Sequence, residues 1–280
     1  MFFIEQSSEQ SASRPFDLRD QGLLLADGVF DTSLIVDGTM ILRMAHLNRL
    51  INDAIALGIA IDHRRINALL ANFLTEDHSG VLRITVTSGP AERRFVNAKR
   101  AFPTVLMNLS PLNRGDQFEP ISLQTSLIRR NSTSLTSRHK TLAYTDNVAA
   151  FRSAQAEGYD DALFLNTCGN ICCTTIGNLF LEIDDIWVTP PISDGVLPGV
   201  MRQWLLGAGS DLDIKITEES ITADDLQSVK SAFMMNSVRL AAPIRKINAR
   251  ELEPRLPERL KSALKALTSL NSQTKQPSDT

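Results

Sequence analysis

Two hydrophobic rhythms divide this 280-residue chain, and together they restrict it to a mixed fold. In the first part, TSLIVDGTMIL reads as strand, tight turn and strand, because β-branched residues flank an Asp37-Gly38 pair that accepts the positive φ of a hairpin. AHLNRLINDAIALGI then places Leu47, Leu50, Ile51, Ala54 and Leu57 at helical spacing, with Gly58 as a left-handed stop. A second helix is expected over residues 64–74, and strands over 81–87 and 104–109, which makes a small α+β unit. SPLNRGDQ, with its proline, glycine and charges, is the candidate linker. Beyond it a helix over 145–156 leads into three strand-like runs, DALFL, GNLFLEI and DIWVTPP, separated by turn residues. Pro198 and Gly199 then precede an apolar-periodic helix, and SAFMMN has the look of a buried strand. The expected division is a small N-terminal α+β domain over 1–109, a linker over 110–118, a larger domain over 119–268 and an unstructured polar tail over 269–280.

Composition removes several classes of function. With 43% hydrophobic and 22% charged residues the chain is an ordinary globular protein, and a net charge of -3 leaves no basic excess for nucleic acid. No window approaches the ~18 apolar residues of a membrane span, so no membrane partner is expected. Cys168, Cys172 and Cys173 fall in one short stretch, an odd number without the spacing of a disulfide framework, which fits a reducing cytoplasm. Adjacent cysteines and the scattered His46, His63, His78 and His139 lack ligand spacing, so no metal is expected.

Lys140, in RHKTLAYTDNVAA, is the residue whose setting points to chemistry. A desolvated lysine amine can form an imine with an aldehyde and then move protons at the adjoining carbon. A lysine without context is far more often a solvated surface residue, but this one belongs to an ordered series: LADGVFDT, HLNRL, RHKTLAY, YDDALFLN, GNLFL, VTPP, GVLPGVMRQ and MMNSVRLAAPI. In order and spacing the series resembles the fold-type IV family of pyridoxal-phosphate enzymes, which contains branched-chain and D-amino-acid aminotransferases and aminodeoxychorismate lyase. The resemblance covers roughly residues 23–243.

The resemblance implies a small α+β domain and a larger domain with a barrel-like sheet, pyridoxal 5'-phosphate between them, and a homodimer. It makes Lys140 the Schiff-base lysine and acid/base, and Arg49 the phosphate-binding arginine, a role suited to a permanently charged fork. PGVMRQ resembles the family's phosphate cup, in which the amides of Val200 and Met201 at a helix start face the anion, and Ser237 completes it. Arg83 and Arg93 fall where relatives grip substrate carboxylates, although a solvated basic loop is an equally ordinary reading of Arg93. Phe30 matches an aromatic pocket position, Leu25 a position where many relatives carry an aromatic, and Tyr144 points either toward the cofactor or into a helix start.

One position departs from the family. Relatives place a glutamate five residues before the asparagine of the N-L-F element, where it keeps the cofactor's ring nitrogen protonated; here Cys173 precedes Asn178 at that spacing. A thiol with a pKa near ~8.5 is mostly neutral at pH 7 and is a weak donor. The leading expectation is an aminotransferase working between a small amino acid and an α-keto acid. A lyase of the aminodeoxychorismate type that releases pyruvate, and a catalytically weakened cofactor-binding relative, stand as alternatives.

Overall fold

The computed structural model describes residues 1–5, 16–91 and 102–269. Arg93 and most of the expected tail therefore lie outside the described residues. The first part contains β1 (Phe2–Glu5), α1 (Gln21–Leu25), β2 (Gly28–Val36), β3 (Thr39–Met40), α2 (Arg43–Ala56), α3 (His63–Phe73), β4 (Gly80–Thr87) and β5 (Thr104–Ser110). Its strands form one antiparallel sheet in the order β1-β5-β4-β2-β3. The β2–β3 turn falls at Asp37 and Gly38, at φ 47° and 73°, which glycine adopts without a Cβ penalty. α2 and α3 cover one face of this sheet. Leu47, Leu50, Ile51 and Ala54 of α2 meet Ile66, Leu69 and Leu70 of α3 and the β2, β4 and β5 residues Val29, Ile84 and Val105 in a single apolar core. Full burial of one such leucine or isoleucine contributes about 1.5–3 kcal/mol.

The second part contains β6 (Ile121–Thr125), α4 (Leu135–Arg138), α5 (Thr145–Ala156), β7 (Asp161–Leu165), β8 (Ile171–Thr174), β9 (Asn178–Ile183), β10 (Ile186–Thr189), α6 (Val200–Ala208), β11 (Ile216–Glu218), β12 (Ser231–Asn236), β13 (Leu240–Ile247), β14 (Arg250–Glu251) and α7 (Glu258–Ser269). Six of these strands close on themselves in the circular order β9-β12-β13-β6-β7-β8, and the ring is sealed by the β8–β9 pairing at Cys173 and Asn178. The barrel interior is apolar, with Leu123, Leu163, Ile171, Leu179, Ala232 and Ala242 all buried in one cluster. A second cluster on the outside unites α6, α7 and the strands through Phe180, Phe233, Leu205, Leu260 and Leu264, and Leu34 of the small sheet packs into it. The fold is thus mixed, a helix-backed antiparallel sheet set against a closed barrel.

Candidate active site

The backbone of Lys140 is fixed from two directions. Its N–H donates to Asp53 Oδ2 at 2.9 Å, and its carbonyl accepts the Phe30 N–H at 2.9 Å. On the next two residues Thr141 bridges to Val29, and the Leu142 N–H donates to Gly28 O at 2.9 Å. Asp53 also pairs with His139 Nδ1 at 2.7 Å. The segment that leads into α5 is therefore sewn to β2 and α2 of the other sheet, and Lys140 stands at the join.

Its side chain enters a cavity of about 580 Å³ between the two sheets. Nζ lies 4.4 Å from the centre of the Phe30 ring and 5.4 Å from that of Tyr144, and the two rings meet edge to face at 5.2 Å. Burial among these rings, then the charge of Arg49 and that of Arg83, lower the amine to about 7, against the opposing pull of Asp31 and Asp53. A lysine so placed exchanges between ammonium and nucleophilic amine near neutral pH. Burial also raises the Tyr144 phenol, which stays neutral.

Arg49 reaches the cavity from α2 with its fork oriented by Asp31, whose Oδ2 accepts Nε at 3.0 Å and Nη2 at 2.6 Å. The other oxygen of Asp31 pairs with His46 Nδ1 at 2.6 Å. Burial pushes the Asp31 carboxyl up, but the charges of Arg49 and His46 outweigh it and hold the carboxyl below its usual range. Across the cavity α6 begins at Val200 after Gly199, with no side chain capping it. Its first amides are thus free for an anion, and the helix dipole has the matching sign. A Cβ on Gly199 would collide with Asn178 Oδ1, so the close approach of this turn to β9 requires glycine. Ser237 follows β12 and lines the same cavity. A guanidinium, open helix amides and a hydroxyl line one cavity, the set of donors a phosphate monoester takes, so these residues fit pyridoxal phosphate at its anionic end.

Arg83 projects from β4 on the face that carries Phe30 and Thr32. Its guanidinium lies 3.7 Å from the Phe30 ring centre, and Nε donates to Thr85 Oγ1 at 3.3 Å. Among the described residues no carboxylate pairs with it, nor with Arg239, which lines the cavity from the β12–β13 turn. Cys173 lines it from β8, between Phe164 of β7 and Asn178 of β9, and burial raises its thiol.

The cavity thus gathers Phe30, Arg49, Arg83, Lys140, Tyr144, Cys173, Val200, Met201 and Ser237. Leu25, read as a pocket position, instead ends α1 exposed and lies outside the lining. Sequence reasoning passed over Asp31, Asp53, Arg130 and Arg239. Asp53 had a visible signal: it lies on the apolar stripe of α2, three residues after Leu50 and four after Arg49, where a carboxylate needs partners.

A closed barrel beside a helix-backed sheet, with a lysine and an anion cup between them, defines the fold-type IV pyridoxal-phosphate enzymes, and the comparisons agree. The family described as amino-transferase class IV matches residues 28–247, and the chain belongs to it. It is similar to a putative branched-chain-amino-acid aminotransferase of Methanocaldococcus jannaschii, 26% identical over 238 residues that cover 82% of each chain. It is equally similar to the aminodeoxychorismate lyase of Bacillus subtilis, 26% identical over 238 residues, or 81% of this chain and 80% of the relative. Among solved structures, a 4-amino-4-deoxychorismate lyase from Pseudomonas aeruginosa shares the fold with a TM-score of 0.84 at 24% identity, covering 95% of this chain and 98% of that one. A branched-chain aminotransferase from Thermoproteus uzoniensis shares it with a TM-score of 0.84 at 20% identity, covering 96% and 95%. The class works with pyridoxal phosphate.

Proposed function

We propose that this protein is an aminotransferase that moves an amino group between a small amino acid and an α-keto acid, with Lys140 as its catalytic residue. The observation that carries the reading is the Lys140 amine, lowered to about 7 inside a cavity that ends in an anion cup. When bound, pyridoxal phosphate supplies an aldehyde for amine exchange and a ring that accepts electrons from the α-carbon. Lys140 would hold the cofactor's aldehyde, and its Nζ would take the substrate's α-proton and hand it on. Arg49, the Val200 and Met201 amides and Ser237 bind the phosphate, and Asp31 holds Arg49 in register for it. Arg83, without a carboxylate partner among the described residues, binds the substrate's carboxylate, and Arg93 is assigned to the same task. Phe30 and Tyr144 wall the reacting face and exclude water.

The even similarity to the Bacillus subtilis lyase favours one second reading, a lyase that releases pyruvate from aminodeoxychorismate. Holoenzyme given an amino donor alone separates the two. An aminotransferase loses its imine absorbance as the cofactor passes to the amine form, whereas a lyase keeps it. Pyruvate formed from aminodeoxychorismate, with the spectrum intact under every L- and D-amino acid, overturns the aminotransferase reading.

The two sheets are assigned to two domains, 1–109 and 119–268, joined by 110–118. The protein is assigned to the cytoplasm as a homodimer. No helix among the described residues is long and apolar enough to cross a membrane.

A further inference from the structure

The wall of the cavity along β8 differs in charge from what an electron-withdrawing ring ordinarily needs. Cys173 sits at the seam of the barrel, 6% exposed, with a thiol that burial keeps neutral. The cation on this wall is Arg130. Its Nε donates to Gly195 O at 3.1 Å and its Nη2 to Ser137 O at 3.0 Å, so carbonyls rather than a carboxylate fix it. Its guanidinium lies 5.7 Å from the ring centre of Phe164, the β7 partner of Cys173, and its charge opposes the rise that burial imposes on both Cys173 and Tyr144, whereas Asp161 adds to the rise at Cys173.

Among the described residues that line the cavity, no buried carboxylate stands ready to replace the missing one. Among the described lining residues the one acid is Asp116, exposed on the turn that joins the two sheets. Asp31 is occupied by His46 and Arg49, and Asp53 by His139 and the Lys140 amide. Asp161 is 2% exposed and has one oxygen without a partner, but it lies behind the wall: its Oδ1 accepts from Thr175 Oγ1 and from the Ala162 N–H, and the residue does not line the cavity. Of the four guanidinium groups that line the cavity, Arg49 is paired with Asp31, while Arg83, Arg130 and Arg239 have no carboxylate partner among the described residues and share the cavity with one exposed acid. A pyridine nitrogen keeps its proton only where an anion or strong acceptor faces it, and nearby positive charge drives the proton off.

We infer that this chain holds the ring nitrogen of its pyridoxal phosphate unprotonated, with the Cys173 thiol as the donor that faces it and the fixed guanidinium of Arg130 keeping that wall positive. The inference rests on the cofactor being joined to Lys140. A neutral ring draws off fewer electrons, so proton removal by Lys140 is slowed. Restoring the charge-assisted bond with Cys173→Glu, for which Arg130 is a ready counter-ion, should speed that step roughly ten- to a hundredfold.

The test does not depend on turnover. Apoprotein is loaded with pyridoxal phosphate carrying ¹⁵N in the ring, and borohydride trapping followed by peptide mapping reports the linkage to Lys140. The ¹⁵N resonance is then followed from pH 6 to pH 9. In the wild-type protein it should stay at the position of a neutral pyridine throughout, and in Cys173→Ser it should remain there. In Cys173→Glu it should move to the position of a pyridinium. A pyridinium signal from loaded wild-type protein overturns the inference, and its disappearance in Asp161→Asn would then name the acid responsible. Loaded, folded Cys173→Glu that stays neutral also overturns it, because Cys173 would not face the nitrogen. If the glutamate variant does not fold, the wild-type resonance alone decides. Protein with no trappable lysine refutes the Lys140 assignment and this inference together.

Discussion

The amine of Lys140 is useful because it is kept close to neutral, and burial and Arg49 are the causes. Since its value lies far below the ordinary 10.5, the amine is free above about pH 7 and protonated below it. Capture of pyridoxal phosphate by apoprotein should therefore slow about tenfold for each pH unit below 7 and level off above it, read from the growth of imine absorbance. A rate that climbs steadily to pH 10 would mean an ordinary, solvated lysine. Lys140→Ala should lose the borohydride-trappable adduct and about 10²- to 10⁴-fold in turnover, the usual worth of a placed acid/base. Asp31 is the second residue with a large expected effect. Asp31→Asn leaves His46 and the fork of Arg49 without their shared anion in a buried setting, so chemical denaturation should show a loss of about 3 kcal/mol together with weaker cofactor binding. Lys140, Arg49 and Cys173 were legible in the sequence because each sits inside a motif of fixed spacing. Asp31 lay within LADGVFDT and still went unassigned, because its partners come from α2 and no local pattern announces a pair made across elements.

At the scale of elements, legibility followed periodicity. β2, β3, α2, α5 and α6 declare themselves through alternation, a turn pair, a helical stripe or a Pro-Gly start, and each appears close to where those signals put it. β8 did not declare itself: ICCT is four residues long and all buried, so it has neither alternation nor length. β13 is masked by Pro243, which cannot donate to a ladder and argues against a central strand. The chain accommodates it opposite Phe233 and just before the register shift at Ile244 and Lys246, where pairing with β6 is already irregular. The start of α6 offers the element-scale prediction. Gly199→Ala would drive a methyl into Asn178 Oδ1, displacing either the asparagine, whose Nδ2 holds Leu197 O at 2.9 Å, or the first turn of the helix. Both movements re-aim the open amides, so the dissociation constant for pyridoxal phosphate should rise about tenfold, equivalent to about 1.4 kcal/mol, with little change in the far-ultraviolet spectrum. Unchanged affinity would show that the amides of Val200 and Met201 do not carry the phosphate.

For the whole molecule, ring closure and the seating of one sheet against the other are non-local, and neither can be read from hydrophobic periodicity; the barrel was expected from family resemblance alone. What joins the two parts at the cavity is short and specific: the Val29 and Thr141 bridge, the Phe30 and Lys140 hydrogen bond, and Asp53, which reaches from α2 to both His139 and the Lys140 amide. A cofactor that Arg49 would hold from one side, and Lys140 and α6 from the other, could bind tightly only while this join is intact, so binding and the seating of the two sheets should be linked. With pyridoxal phosphate at a hundred times its dissociation constant, the wild-type protein should gain about 2.7 kcal/mol in urea unfolding. Asp53→Ala removes charge-assisted bonds to His139 and to the lysine's own amide, which should cost the cofactor-free protein about 1.5–3 kcal/mol. At the same cofactor concentration the gain from binding should shrink in this variant, because part of the binding energy is spent restoring the position of residues 139–142. Equal gains in the variant and the wild-type protein would mean that Asp53 stabilises the fold without aligning the site, and that Lys140 is positioned by β2 alone.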